Sequence, residues 1–424
     1  MRLIFCMLPA VVALGQTRTV SLKEAVEQAL RLNPEIVLAK LEEQKAREQI
    51  RIARDPFVPK VFAGSGVAYS YGFPMSIEGS APSIVQVRGV ASVFNKPQSA
   101  RIAQAREAAQ STAIDTDAKR EDVAMETATV FLEAVRWART AEAIRGQIDA
   151  MQRAAETVEA RVKEGRELEI EWRRATLGVA KTRHRHALIE EQREYAEGLL
   201  SAAIGVEAPG RVRPVETGAL GVELPGSEEA VLRMALGASK ELRKLESSVL
   251  VKQMALREHE SARLPTLDLV AQYGLFAKFN NYEDFFRRFQ RHNGQLGVSV
   301  QVPLFRSGAS EAQASQARTD LDALRTRMGQ VRGRIAVTVR NAWRQTKLSE
   351  EGRQIARADL ELAREQVTVL LAQWEEGRVS QRQLEEARFT EQEKWIGYHE
   401  AQMVGERAKL ALAKVAGSLL TALQ

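Results

Sequence analysis

The residues with the greatest chemical reach are five histidines, one cysteine and many carboxylates, and their spacing defines what they could perform. The histidines stand at positions 184, 186, 259, 292 and 399. His184 and His186 lie two apart in a helical stretch and so face different directions. No pair has metal-ligand spacing, and no nucleophile motif or phosphate loop accompanies them. The carboxylates interleave with arginine and lysine, the pattern of a solvated helix face. These residues predict no catalysis, no metal centre and no cofactor. Two short motifs stand out instead: Lys163-Glu164-Gly165-Arg166 and Glu375-Glu376-Gly377-Arg378. The glycine in each supplies the φ freedom that a tight helix-to-helix reversal requires.

The chain around these motifs carries 61 Lys+Arg against 55 Asp+Glu, a net +6 spread along its length, which argues against nucleic-acid binding. Only 6% of its 424 residues are aromatic, as in long helices and coiled coils rather than a thick globular core. Met1-Arg2, the apolar run Leu3 to Leu14 and the small residues before Gln16 predict an export signal over residues 1–15. The run is too short for a bilayer-spanning helix of ~20 residues, and no other segment reaches that length. Cys6 lies inside this leader, so the mature chain would have no disulfide framework. Lipidation of Cys6 is disfavoured by the absence of small residues before it.

The rest of the chain reads as a tandem duplication. Glu24-Ala25-Val26 recurs as Glu229-Ala230-Val231, Pro59 as Pro265, Phe94 as Phe305, and Gly205 as Gly417. The first copy occupies residues 16–205 and the second 227–424, joined by a Pro- and Gly-rich linker over 206–226. Each copy opens with one amphipathic helix, Ser21 to about Arg54 and Ser227 to about Ser261. Ser21 and Glu24 predict a capping box. Two strands and a helical hairpin follow: strands at ~59–73 and ~83–95 with a hairpin at ~97–205, then strands at ~265–278 and ~293–305 with a hairpin at ~307–417.

The strands alternate strictly. Val61, Ala63, Val67, Tyr69 and Tyr71 oppose Lys60, Gly64, Gly66 and Ser70, and Val85, Val87, Ala91 and Val93 oppose Gln86, Arg88 and Ser92. Leu267, Leu269, Ala271, Tyr273 and Leu275 oppose Asp268, Gln272 and Gly274, and Leu296, Val298, Val300, Val302 and Leu304 oppose Gln295, Gly297, Ser299 and Gln301. One apolar and one polar face fit a soluble sandwich or a membrane barrel with a wet lumen, and the export signal favours the barrel. Four strands cannot enclose a channel, since ~8 already fill with side chains; three chains would supply twelve. The barrel lumen would present Lys60, Gln86, Arg88, Asp268, Gln272 and Gln301. The loop from Lys278 to Asn293, with Phe285, Phe286, Arg287, Arg288 and Arg291, reads as an outer loop that is solvated or contacts lipopolysaccharide phosphates.

The long helices lack internal proline and approach ~100 Å at ~1.5 Å per residue. Ala317, Leu321, Leu324, Met328, Val331, Ile335, Val339 and Ala342 trace a coiled-coil seam. The expected fold class is therefore a mixed α/β membrane protein, a trimeric 12-stranded antiparallel β-barrel continued by an α-helical barrel of coiled-coil hairpins.

Three segments carry a family likeness. The run Ser21-Leu-Lys-Glu-Ala-Val-Glu-Gln-Ala-Leu-Arg-Leu-Asn-Pro-Glu35 resembles the opening helix of the TolC-like outer-membrane efflux proteins. Val300-Gln-Val-Pro-Leu-Phe-Arg-Ser-Gly308 resembles their signature at the fourth strand, and Gly377-Arg-Val-Ser-Gln-Arg-Gln-Leu-Glu-Glu-Ala387 their second hairpin turn. The resemblance implies a homotrimer in the outer membrane that extends into the periplasm. It also implies partnership with a periplasmic adaptor and an inner-membrane pump, and passive conduction in efflux or type I secretion. The hairpin tips, with Gly165, Arg166, Gly377, Arg378 and Ser380, would dock the adaptor. In matching sequences a hydroxyl follows the glycine by three and acids by six and nine; Ser380 and Glu386 match, whereas Gln383 departs. In the first copy Leu168 replaces the hydroxyl and Glu171 holds the sixth position. Glu386, with Glu385 beside it, would form a carboxylate ring at the periplasmic constriction; the plainer reading is a surface glutamate paired with an arginine. The rival function is a secreted or periplasmic coiled-coil scaffold or adaptor without channel activity. Adaptors, however, carry one hairpin with strands inside the chain, whereas here strands precede each of two.

Overall fold

A computed structural model describes residues 18–66, 83–206, 211–215, 226–276, 292–304, 308–376 and 378–423. The leader, Val67, Tyr69, Tyr71, most of the outer loop, Phe305 and Gly377 lie outside these described residues. In order the chain forms β1 (Arg18–Val20), α1 (Leu22–Leu32), α2 (Pro34–Arg54), β2 (Lys60–Gly66), β3 (Ser83–Phe94), α3 (Lys96–Lys163) and α4 (Glu169–Ala203). It continues with β4 (Val212–Pro214), α5 (Glu228–Ala238), α6 (Lys240–Ser261), β5 (Thr266–Phe276), β6 (His292–Gln301), α7 (Gly308–Glu375), α8 (Gln381–Ala416) and α9 (Leu419–Leu423). None of the described helices is long and apolar enough to cross a membrane.

Each opening helix proves to be two. Ser21 caps α1 as expected: the Glu24 N–H donates to its hydroxyl at 3.3 Å, and the Ser21 N–H donates to the Glu24 carboxylate at 2.9 Å. The helix then breaks at Asn33 (φ −60, ψ 127), because Pro34 excludes helical backbone at the residue before it. The Asn33 side chain uses the break, accepting from the Glu35 N–H at 2.9 Å and donating to the Ala203 carbonyl at 3.1 Å. In the second half the interruption falls at Ser239, where no proline follows.

The chain divides into two compact units, each assembled from parts of both halves. One contains residues up to Ala39, Thr116–Ser239 and Arg332–Gln424. Its core packs Val26, Ile36, Phe131, Leu200, Leu410 and Leu419, all buried, from α1, α2, α3, α4, α8 and α9. β1 and β4 join it as a parallel pair, Arg18 opposite Val212 and Val20 opposite Pro214. The expected linker is therefore structured at this point. Val20 and Val212 are buried, and the Val212 N–H donates to Ser201 Oγ at 3.2 Å.

Left-handed glycines close both returning helices in this unit. After α4, Gly205 has φ 73 and the Val206 N–H reaches back to the Ser201 carbonyl at 2.9 Å. After α8, Gly417 has φ 76 and the Ser418 N–H bonds the Ala413 carbonyl at 2.9 Å. A Cβ on Gly205 would approach the Leu32 carbonyl oxygen to 3.1 Å, and one on Gly417 would overlap the Ala238 Cβ. Each half thus ends against the helix break near its own beginning.

The other unit contains Lys40–Asp115 and Lys240–Val331. Its four strands form one antiparallel sheet in the order β2-β3-β5-β6, leaving β2 and β6 at the edges. The register pairs Val87 with Tyr273 and Leu269 with Val298 on one face, and Arg88 with Gln272 and Asp268 with Ser299 on the other. β6 ends at Gln301, so Val302 and Leu304, expected within this strand, fall beyond it; Pro303 between them has no N–H to give a ladder. Beside the sheet, Lys244 pairs with Asp115 at 2.7 Å, Lys252 with Asp320 at 2.7 Å and Arg101 with Glu258 at 2.6 Å.

α3 and α7 are each 68 residues long. Ala317, Leu321, Val331 and Val339 of the expected α7 seam are buried, and Leu324, Met328, Ile335 and Ala342 are half-buried. A second apolar line on α7 remains exposed: Leu348, Ile355, Leu362 and Val369, repeating every seven residues.

Candidate functional site: hairpin tips and sheet faces

The two tips achieve the same reversal by different chemistry. At the first, Gly165 takes φ 72, its N–H donates to the Val162 carbonyl at 3.0 Å, and the Arg166 N–H donates to the Arg161 carbonyl at 2.9 Å. Arg166 pairs with Glu164 at 3.1 Å. Leu168 takes the N-cap position of α4 and offers no side-chain cap. Glu169 and Glu171 occupy the first turn instead, where carboxylates offset the positive end of the helix dipole. Each is paired at 2.6 Å, Glu169 with Arg173 and Glu171 with Arg174.

At the second tip the Arg378 N–H donates to the Gln373 carbonyl at 2.8 Å, and Arg378 pairs with Glu376 at 3.0 Å. Ser380 is the N-cap of α8, and Gln383 completes a capping box with it. The Gln383 amide oxygen accepts from the Ser380 N–H at 3.0 Å, so the residue that departs from the acidic pattern serves the helix start. Sequence reasoning missed this role, although Ser-x-x-Gln is the same signal that identified Ser21 and Glu24.

The two acids beyond it differ in setting. Glu386 is exposed and lies 3.6 Å from Arg382, one turn earlier. Glu385 is half-buried, with Arg388 at 3.4 Å. Burial pushes its carboxyl above the ordinary carboxylate value, and Arg388 pulls it back down. Glu385 also lines a crevice of about 820 Å³ shared by both tips, with Met151, Val158, Leu168, Trp374 and Val379 as its apolar wall.

The six residues expected in the lumen share one face of the sheet. Arg88 and Gln272 are cross-strand partners; Gln86, Asp268, Gln301 and Lys60 stand at positions of the same parity, opposite Gly274, Ser92, Thr266 and Val90. Lys60 pairs with Asp55. The same face carries Phe62, opposite Arg88, and Val90 opposite Val270, so it is less uniformly polar than the pattern suggested. The opposite face is apolar and open: Leu296 is 79% exposed, and Val61, Val93, Val298 and Val300 are exposed with it. A soluble sheet buries such a face.

The family model described as outer membrane efflux protein matches residues 25–206 and again residues 231–418. The structure of CusC superposes with a TM-score of 0.77 at 14% identity, covering 96% of this chain and 95% of that one. VceC of Vibrio cholerae gives 0.72 at 14% identity, over 93% and 96%. The open state of MtrE of Neisseria gonorrhoeae gives 0.73 at 15% identity, over 94% and 89%. Comparison with curated proteins by sequence gave no match.

Proposed function

The chain belongs to the outer membrane efflux protein family, and from that membership we propose that it is a passive exit duct. In this reading it conducts cargo handed over by an inner-membrane pump and a periplasmic adaptor, in efflux or type I secretion, across the periplasm and the outer membrane. The observation that carries the reading is the sheet, whose apolar face is exposed while its polar face gathers Arg88, Asp268 and Gln272. Such a face is at rest against lipid, with the polar face turned to water.

Closure comes from three copies. Among the described residues β2 and β6 are the unpaired edges of the sheet, and joining β6 of one copy to β2 of the next gives twelve strands. The exposed heptad line on α7 gives the helices a matching surface for a neighbouring copy. The double family match and the repeated order of helices, strand pair and hairpin support a duplicated chain over residues 16–205 and 227–424. The adaptor docks at the tips around Gly165, Arg166, Gly377, Arg378 and Ser380, where the crevice between them offers apolar wall. Glu386, brought to a three-fold axis, forms the carboxylate ring of the constriction, with Glu385 set behind it.

The test is purification from detergent followed by insertion into planar bilayers. Heat-resistant trimers that conduct ions support the duct; a mature chain soluble without detergent and silent in bilayers overturns it in favour of a coiled-coil scaffold.

A further inference from the structure

We propose that Arg139 and His399 form a proton-sensitive latch between α3 and α8, closed while the imidazole is neutral and released when it takes up a proton. Arg139 Nη1 lies 2.8 Å from His399 Nδ1. A guanidinium has only donors, so Nδ1 must offer its lone pair and the ring proton must sit on Nε2. Protonation fills that lone pair. The contact then changes from a hydrogen bond into two cations at bonding distance, a reversal rather than a mere weakening.

The surroundings make the reversal costly. The His399 ring lies against Trp395 at 4.1 Å between centroids, tilted by 57°, and meets the Tyr398 ring in an edge-on arrangement at 5.3 Å. Beside it lies a buried cluster of Ala141, Ile144, Ile189 and Ile396 with Trp137 and Trp395 against it, joining α3, α4 and α8. The nearby charges are already committed. On α3, Arg136 sits over the Trp137 ring at 4.3 Å and pairs with Glu133 at 3.1 Å and with Glu400 of α8 at 3.6 Å. From α8, Arg407 takes the other Glu133 oxygen at 2.9 Å. On α7, Arg353 binds Glu350 at 2.5 Å. On α4, Arg185 holds Glu393 at 2.5 Å, and His186 lies 3.7 Å from Glu190. Each of these carboxylates already answers a partner other than His399, and Glu142 of α3, which lines a crevice with Trp395, is exposed.

Burial first, and Arg139 second, hold the His399 imidazole below its ordinary value of 6.5, against a hydrogen bond to Gln402. The packed state therefore binds this proton less well than the loosened state does. Its stability is full above the ordinary value and falls as pH drops from there towards the lowered value of the packed state. A channel wall open to the medium would meet that range on mild acidification, and the helices it loosens are those that carry the tips.

Amide hydrogen exchange on the full-length protein in detergent tests this without reference to conductance, so the duct reading stands or falls separately. Between about pH 7.5 and about pH 5, after correction for intrinsic rates, segments 137–144 and 395–402 should lose protection by up to about tenfold per pH unit. His399→Gln, whose amide oxygen still accepts from Arg139 without titrating, should hold protection flat. Arg139→Gln should reduce the slope by removing the opposing cation, and it serves if the first variant folds poorly. Protection unchanged with pH in the natural protein, or an equal loss in His399→Gln, overturns the latch. So does a His399 imidazole NMR titration at or above the ordinary histidine value.

Discussion

Ser380 and Gln383 hold each other in a reciprocal cap: the Ser380 N–H donates to the Gln383 amide oxygen at 3.0 Å, and the Gln383 N–H donates to the Ser380 hydroxyl at 3.4 Å. Ser380→Ala should lower the stability of the first turn of α8 by about 1 kcal/mol, seen as faster amide exchange over residues 380–386. Gln383→Glu should keep the cap, because a carboxylate fills the same role, while adding a negative charge at the tip. Frayed exchange in Gln383→Glu equal to that in Ser380→Ala would show that the box does not hold this turn.

The constriction reading makes a separate claim about Glu386. Its side chain is exposed and only loosely held by Arg382 at 3.6 Å, so it is available to line a passage. Glu386→Ala should reduce cation preference and raise single-channel conductance, with Gln383→Glu acting in the opposite direction on preference. Unchanged preference and conductance in Glu386→Ala would leave the residue as a surface partner of Arg382.

The exposed line on α7 predicts an assembly defect without a folding defect. Leu362 is 55% exposed within one chain, whereas Leu410 is fully buried. Leu362→Glu should leave the chain's helical content intact and abolish heat-resistant trimers on gels. Leu410→Ala should instead cost about 2–5 kcal/mol of chain stability. Trimers of normal heat resistance in Leu362→Glu would remove this line from the contact between copies.

Two glycines with the same backbone should respond unequally to alanine. Gly165 and Gly417 both have positive φ, 72 and 76, and each substitution carries a backbone penalty of ~1–2 kcal/mol. Around Gly165 the space is open, whereas at Gly417 the new methyl would overlap Ala238. Gly417→Ala should therefore cost roughly a further 1–3 kcal/mol of stability over Gly165→Ala, seen as a lower melting temperature. Equal shifts in thermal unfolding would mean that the α5–α6 junction yields at little cost.

Much of this architecture is written in periodicity. Alternation at Leu267 to Leu275 announces a strand with two unlike faces, and the three-four spacing from Ala317 to Ala342 announces a seam. The break at Asn33 was equally readable, since Pro34 follows it. The break at Ser239 has no such local signal and coincides with the site where Ala238 meets Gly417. β1 and β4 are three residues each, too short for any pattern to register, and they exist because Val20 and Val212 share one core. Arg139 and His399 stand 260 positions apart, and no spacing rule brings them together. In the site, the tip glycine Gly165 and the shared sheet face of Arg88 and Gln272 were legible, while the Gln383 cap was a local signal left unused.

The open sheet bears on the protein's early life. On the duct reading, a chain that has not yet met other copies carries ladder groups along β2 and β6 that find no partner among the described residues, and an uncovered apolar face centred on residues such as Leu296. Any extended segment nearby is a competing strand, and any other apolar surface a competing partner. On that reading, the interval before these edges and this face are covered is therefore the most hazardous for the chain, because aggregation then competes directly with assembly.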